Sequence, residues 1–386
     1  MTLTTLHLRA DREHLLAAIA AADAVVPSSS SKPILQNLVL DAKAAHLEVI
    51  ASDSQVGLRA IVRRIEVLGQ GQAVVASRQF AQILRESASR SVELELETQG
   101  EQAILAIRLG DGDYHVPAVI GETFPLVSFF PADVVPFRIP GARLDSMLRK
   151  TTFAMDKERT SPTLSGLSLT LGNGELVIAA TDGKVLAETV DRSEAYQLSQ
   201  AGEMLAVVLP APAVSHLSRI LGGSAPAKSD GVELAFAGKL LFIRLALEDG
   251  LRVELTARLV EGVFPAYRPA LAAATGQISL TFHTAQLASA VRRVALMNSQ
   301  TSRAIVMHLD KDLAVFSNMN SAQGNARIPV ACQYQGAPAK FGINADYLQS
   351  IIKAYEAEHL GIEMARGLIM REPGVTFLIM PISLPV

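Results

Sequence analysis

The chain has 386 residues, 49% apolar and 19% charged, with a formal net charge of −3, which excludes a disordered polymer and a uniformly basic nucleic-acid binder and predicts about two to four domains. Its one cysteine, Cys332, excludes an intrachain disulfide and a cysteine metal cluster and fits a reducing compartment. No run approaches the ~18 uncharged apolar residues of a membrane span, and the opening MTLTTLHLRADREHLL has no basic-then-apolar targeting signal, so the expectation is a cytoplasmic protein without a membrane partner.

In chain order, apolar residues at three- and four-residue spacing predict a first helix over 11–25, with Leu15, Leu16 and Ile19 on one face. Residues 37–62 (NLVLDAKAAHLEVIASDSQVGLRAIV) predict three strands separated by polar turns, and 77–88 a second helix with Ser77 as N-cap. Strict alternation over 92–96 predicts a half-buried strand. The pattern then returns. A helix over 142–155 precedes three strands in 166–190 (GLSLTLGNGELVIAATDGKVLAETV), followed by a helix over 211–221 with Pro212 in its first turn and the strand VELAFAG. The third pass has a helix over 284–297, strands in 304–330 (AIVMHLDKDLAVFSNMNSAQGNARIPV), a helix over 344–355 capped by Asn344, and the strand LGIEMA. Each pass stops on an apolar residue and proline: Phe124-Pro125, Phe264-Pro265 and Met380-Pro381.

Repetition at so long a period predicts three similar domains, over 1–134, 135–276 and 277–386, joined by links at 126–136 and 266–277. Alternating strands leave one wet face, so the fold class is α+β, with two helices per domain on antiparallel sheets. The six helices carry a recurring basic set: Arg12, Arg78, Arg85, Arg143, Arg149, Lys150, Arg219, Arg292, Arg293 and Lys353. Acids concentrate on strands and turns, at Glu93, Glu95, Glu97, Asp111, Asp113, Glu248, Asp249 and Glu254. A basic lining of this kind attracts phosphates without base specificity, whereas the plain alternative is the wet face of any surface helix. Six helices at about 10 Å spacing around a hole leave only about 9 Å free, and twelve leave about 28 Å, enough for a duplex roughly 20 Å wide. A ring built this way requires two chains, head to tail.

At REHLLAAIA (12–20), KPILQNLVL (32–40), ATDGKVLA (180–187), EGVFPAYRP (261–269) and LIMPISL (378–384) the chain resembles the bacterial DNA polymerase III beta subunit family, over essentially its full length. The resemblance implies the DNA clamp fold, a six-domain ring as a head-to-tail homodimer, helices lining the hole, and no catalysis and no cofactor. It implies partners: double-stranded DNA bound without sequence preference, the DNA polymerase III alpha subunit, a clamp loader and other clamp-binding-motif proteins. It implies a peptide pocket at Leu164, Thr181, Gly183, Lys184, Val185, Leu186, Pro265, Ile379, Met380 and Pro381; for Leu164, Leu186 and Ile379 ordinary core is the alternative. It implies a dimer seam in which Tyr114 and Val116 meet Leu296 and Met297, each of which is otherwise read as packed within its own domain.

The chain departs from the family at Lys184-Val185, where a His-Arg pair is common, at Pro269 in place of a pocket arginine, and at Pro162 and Thr163 in place of an aromatic pair, with Lys157 and Arg159 supplying phosphate contacts there. It runs on through Pro385 and Val386. These differences keep open a divergent clamp paralogue, or a peptide-binding scaffold with altered partners. An enzyme is the rival class. The eight histidines are scattered, and the stretch at 110–113 (GDGD) reads as a hairpin turn better than as a calcium loop. Gly222-Gly223-Ser224 lacks a phosphate-loop lysine, and Asp53 and Asp182 read as turn acids.

Overall fold

The structure, a computed structural model, describes residues 6–99, 102–120, 124–125, 127–193, 196, 204–222, 231–247, 250–274, 276, 278–298, 303–319 and 324–384. Leu126, Gly223, Ser224, Glu248, Asp249, Gln277, Pro385 and Val386, to which the expectations above refer, lie outside the described residues.

The first copy of the repeat runs β1 (His7–Asp11), α1 (Arg12–Asp23), β2 (Asn37–Ala42), β3 (Leu47–Ser52), β4 (Val56–Val62), β5 (Ile65–Gly69), β6 (Gly71–Ala76), α2 (Ser77–Glu86), β7 (Ser91–Gln99), β8 (Gln102–Leu109) and β9 (Gly112–Val119). The second runs β10 (Phe137–Ile139), α3 (Gly141–Thr151), β11 (Leu167–Gly172), β12 (Glu175–Thr181), β13 (Val185–Arg192), β14 (Met204–Leu209), α4 (Ala211–Gly222), β15 (Val232–Ala237), β16 (Leu240–Ala246) and β17 (Arg252–Arg258). A short helix, α5 (Arg268–Ala274), follows. The third copy runs β18 (Ile278–His283), α6 (Thr284–Ala295), β19 (Ala304–Asp310), β20 (Leu313–Asn318), β21 (Arg327–Ala331), β22 (Ala339–Asn344), α7 (Ala345–Ala354), β23 (His359–Met364), β24 (Leu368–Glu372) and β25 (Val375–Ile379).

Local chemistry sets the helix ends. The Asp11 carboxylate accepts from the amides of Glu13 and His14 and caps α1; the Asn344 side chain does the same for α7 through Asp346 and Tyr347. Ser77 is not the cap expected of it. It is the first residue of α2, buried, and its hydroxyl donates to the Asp23 carboxylate instead, while Ala76 stands at the cap position. The expected link at 266–277 is partly helical: a proline in the first turn and a run of alanines make α5.

Each copy contributes two four-strand sets to the sheets, one headed by its third strand (β4, β13, β21) and one by its last (β9, β17, β25), with β5 added as a fifth strand to the second set of the first copy. The third strand of one copy pairs antiparallel with the last strand of the next. Thus β4 pairs with β17, with Leu58 opposite Leu255, and β13 pairs with β25, with Val185 opposite Ile379. The sheets therefore run on across copies, giving orders β10-β15-β16-β17-β4-β3-β2-β6-β9-β8-β7-β1-β5 and β14-β11-β12-β13-β25-β24-β23-β18, with β21-β20-β19-β22 standing alone. Two compact units result, Met1–Asp145 with Leu209–Leu259, and Ser146–Val208 with Val260–Val386. The division cuts the second copy because its two sheets are shared with different neighbours.

Both cores are mainly aliphatic. In the first unit Leu38, Leu40, Val49, Leu58, Leu94 and Ile107 are fully shielded; in the second, Leu287, Val291, Ile305 and Ile379 are joined by Phe282, Phe316 and Phe377. The β4–β17 junction also holds an ion pair. The Arg59 guanidinium bonds Glu254 at 2.6 Å and Glu48 at 3.2 Å and stacks 3.6 Å from the Phe129 ring. Glu254 is only 5% exposed and Arg59 17%, so each charge depends on its partner. Arg59→Met strands the Glu254 carboxylate and leaves Glu48 with His46 alone, and is expected to cost about 3 kcal/mol, read as a lower midpoint in urea or thermal unfolding; an unchanged midpoint contradicts this role.

Candidate nucleic-acid and peptide interfaces

In the second unit α6 and α7 pack side by side and, with the loop after α3, border a groove of about 850 Å³. Two of its three acids pair with permanent cations, and the third lies beside an imidazole. Asp346 lies 3.0 Å from Arg303, Glu356 3.1 Å from Lys150 and Glu358 3.4 Å from His283. Lys157, Arg292 and Lys353 border the same groove, are exposed, and have no side-chain hydrogen-bond or ion-pair partner among the described residues. The groove thus presents uncompensated positive charge, the property that captures phosphate oxygens.

The loop carrying Lys157 and Arg159 is organised by one buried acid. Asp156 accepts from the amides of Glu158, Thr160 and Ser161 and from the Thr160 hydroxyl, at 3.0, 2.7, 3.4 and 2.6 Å. The Thr160 hydroxyl and these amides, outweighing burial, hold its carboxyl below the usual range. Arg159 has φ of 56°, the left-handed region.

Other expected phosphate ligands are spent inside the fold. Arg12 is mostly buried, and its guanidinium donates to the carbonyls of Ser89 and Leu84 at 2.6 and 2.9 Å, closing the C-terminal end of α2. Arg219 reaches the Ala24 carbonyl at the end of α1, at 2.9 Å. Lys150, 11% exposed, sits between Glu356 and Glu372. Arg12 and Lys150 are corrections: their donors hold a helix end and acids of this chain, whereas Arg219 stays exposed beside its one carbonyl bond. Arg78, Arg85, Arg143, Arg149 and Arg293 are exposed on α2, α3 and α6.

The expected peptide-pocket residues all fall in the second unit. The β12–β13 turn is built by side-chain oxygens: Thr181 Oγ1 accepts from Gly183 N and donates to Val185 O, while Asp182 accepts from the amides of Lys184 and Val185. Asp182 also accepts from the Tyr347 hydroxyl of α7. Burial and that carboxylate push the Tyr347 phenol well up. Gly183 has φ of 87° and open space where a Cβ would stand. Beside this turn, Met380 N donates to Lys184 O at 2.8 Å, tying the strand after β25 to it.

Thr181, Val185, Leu186 and Ile379 are buried, which corrects their placement on an open floor; they are core beneath it. Leu164 is half-buried, and Gly183, Lys184, Pro265, Met380 and Pro381 are exposed. Sequence reasoning missed α5, whose Leu271 packs with Tyr267 against the cluster of Leu186, Ala274, Ile369 and Leu378. The Tyr267 hydroxyl donates to Glu188 at 2.6 Å. The helix-forming run RPALAAA was the available signal, hidden by Pro265 before it and Pro269 within it.

Of the expected seam residues, Tyr114, Leu296 and Met297 retain exposed surface, with Leu296 71% exposed, whereas Val116 is 4% exposed. Val116 is therefore corrected to the core of the first unit. No helix among the described residues is long and apolar enough to cross a membrane.

The carboxylate at Asp156 generates a prediction. Its pKa is depressed on folding, so its stabilising contribution is present above the unfolded value near 4 and is lost as pH falls through the lower folded value. Asp156→Asn is expected to give, at neutral pH, the faster amide exchange over 157–161 that the native chain shows only in acid; equal protection in both proteins contradicts the assignment.

Models of the DNA polymerase III beta subunit match this chain in three consecutive parts: the N-terminal domain at 6–128, the central domain at 138–266 and the C-terminal domain at 274–382. The beta sliding clamp of Chlamydia muridarum is 26% identical over 365 residues, covering 93% of this chain and 94% of the relative. The beta sliding clamp of Escherichia coli K12 is 24% identical over 355 residues, covering 91% and 90%. Among solved structures, the DNA polymerase III subunit beta of Pseudomonas aeruginosa superposes with a TM-score of 0.86 at 23% identity, covering 98% of this chain and all of that one. The DNA polymerase sliding clamp of Bacillus subtilis gives 0.87 at 18% identity, covering 99% and 100%. With all three domains matched in order along nearly its whole length, the chain belongs to the DNA polymerase III beta subunit family, the DNA sliding clamps.

Proposed function

We propose that two copies of this chain close head to tail into a non-catalytic cytoplasmic ring that encircles duplex DNA and tethers a polymerase. The domain boundaries of this reading lie near 134 and 276. The observation that carries it is the α6–α7 groove, where the acids are paired and Lys157, Arg292 and Lys353 are not. Sequence-independent backbone binding needs just such exposed cations and no base-reading groups.

The ring is supported by the strand rule of the fold. The third strand of each copy pairs with the last strand of the next, and this leaves β21 at the edge of its sheet and residues 112–117 of β9 paired on one side only among the described residues. In this reading these two open edges, of complementary rank, pair between chains.

Exposed Pro265, Met380 and Pro381, half-buried Leu164 and the Gly183-Lys184 turn supply an apolar surface with polar rim groups, suited to an extended peptide. A beta sliding clamp from C. crescentus, 23% identical with a TM-score of 0.85, was crystallised with PEG bound to a putative beta-motif tethering region. In this reading the peptides come from a DNA polymerase III alpha subunit, a clamp loader and other clamp-binding-motif proteins. Exposed Lys184 and Pro269 adapt the surface to partner motifs of this chain's own.

Replacing Arg292 and Arg293 by Glu is expected to weaken duplex binding about tenfold or more at low salt and to reduce the slope of log affinity against log salt by about two, with dimer mass unchanged. Binding and slope equal to wild type contradict the proposed lining.

A further inference from the structure

The two open edges carry charges of opposite sign, and the repeat fixes which residues they bring together. In the first copy Ala10, just before the cap of α1, lies opposite Val92, Val92 opposite Leu109, and Leu109 opposite Gly112. In the second copy Ile139, two residues before α3, lies opposite Val232, Val232 opposite Leu245, and Leu245 opposite Val253. Gly112 therefore takes the place of Val253, and Asp113 that of Glu254.

The other edge is reached in the same way. Asn37 lies opposite Ala76, the residue before α2, and Ala304 lies opposite Asn344, the residue before α7. Two residues on, Val39 lies opposite Ile50 and Ile50 opposite Arg59. In the third copy Val306 lies opposite Ser317 and Ser317 opposite Arg327. Arg327 takes the place of Arg59. Within the chain Arg59 and Glu254 are register partners across the β4–β17 junction and are joined at 2.6 Å.

From this we infer that Arg327 of one copy and Asp113 of a second copy form an ion pair that latches the seam in the register of Arg59 and Glu254. The inference rests on the ring reading above and adds to it a register and a charge pair. Both residues are exposed, and neither has an ion-pair or hydrogen-bond partner through its side chain among the described residues. The neighbours of Asp113 are already committed. Arg108, opposite Asp113, is drawn to Glu95 and Glu97 at 2.6 and 3.1 Å, as Arg244, opposite Glu254, is drawn to Glu233 at 2.5 Å. Asp111 accepts from the Ser87 hydroxyl and the Ala88 amide.

On the other edge, no carboxylate among the described residues forms an ion pair with Arg327. Burial, then the nearby charges of Lys340 and Arg327, push the His308 imidazole down. Tyr114 adds an independent observation. It takes the place of Leu255, which is 1% exposed beneath the β4–β17 junction, yet Tyr114 is 39% exposed: an inward-facing position whose cover is absent from a single chain. The pair is not a device of every junction, since β13–β25 has Glu188 opposite Thr376 at the matching place.

The test is sedimentation equilibrium of the full chain at moderate salt. Wild type is expected near twice the chain mass of 41.1 kDa. Asp113→Arg and Arg327→Asp should each weaken dimerisation about tenfold or more, and the double reversal should recover most of that loss. Singles with the wild-type dissociation constant, or a double variant no better than the worse single, overturn the latch while leaving the ring. Recovery in Asp111→Arg with Arg327→Asp, but not with Asp113→Arg, overturns the register. A wild-type chain that stays at single mass at every concentration overturns the ring reading and the latch with it. Far-ultraviolet circular dichroism of each variant, expected to match wild type because both positions are exposed, separates loss of the seam from loss of the fold.

Discussion

Backbone pairing between the third strand of one copy and the last strand of the next is the constraint on which the rest of this molecule depends. An open sheet edge is a row of unsatisfied donors and acceptors. The chain satisfies two such rows internally, at β4–β17 and β13–β25. The repeat therefore works as one long succession of shared sheets, and its compact units do not follow the copies. The second copy is divided because each of its sheets belongs to a neighbour.

Charge follows the same logic at a second level. Where a junction is closed, its charges are buried and matched, as at Arg59, Glu48 and Glu254. Where a helix ends, an arginine from elsewhere in the unit closes it, as Arg12 does for α2 and Arg219 for α1. Unpaired charge also stands where something outside the chain can supply the countercharge: Lys157, Arg292 and Lys353 beside the α6–α7 groove, and Arg327 and Asp113 on the two open edges. In the proposed ring the first group meets phosphates and the second meets a second copy.

Much of the fold was legible in the sequence because its signals are local. The alternation over 92–96, the polar turns at Asp53 and Asp182 and the Asn344 cap each depend on residues a few positions apart, and the structure has all of them. The misread features depend on distant partners. Ser77 has the chemistry of a cap, but Asp23, far off in sequence, takes its hydroxyl. Arg12 and Lys150 have the pattern of wet-face cations, but carbonyls of α2 and the acids Glu356 and Glu372 take their donors. Leu186 and Ile379 line a surface only in sequence order; antiparallel pairing of β13 with β25 places them under it. The charge relation between Arg327 and Asp113 is invisible in the sequence, because the equivalence that exposes it is counted across strand ladders rather than along the chain.

The central claim is topological: two chains close around a duplex, so that the ring is held by the path of the DNA as well as by contact. Retention after assembly on nicked circular DNA tests it most directly, measured by gel filtration before and after a restriction enzyme linearises the circle at salt high enough to suppress simple phosphate binding. The account predicts that protein co-elutes with the circle and is released once an end exists. Equal retention on circular and linear DNA, or none on either after loading, would contradict it.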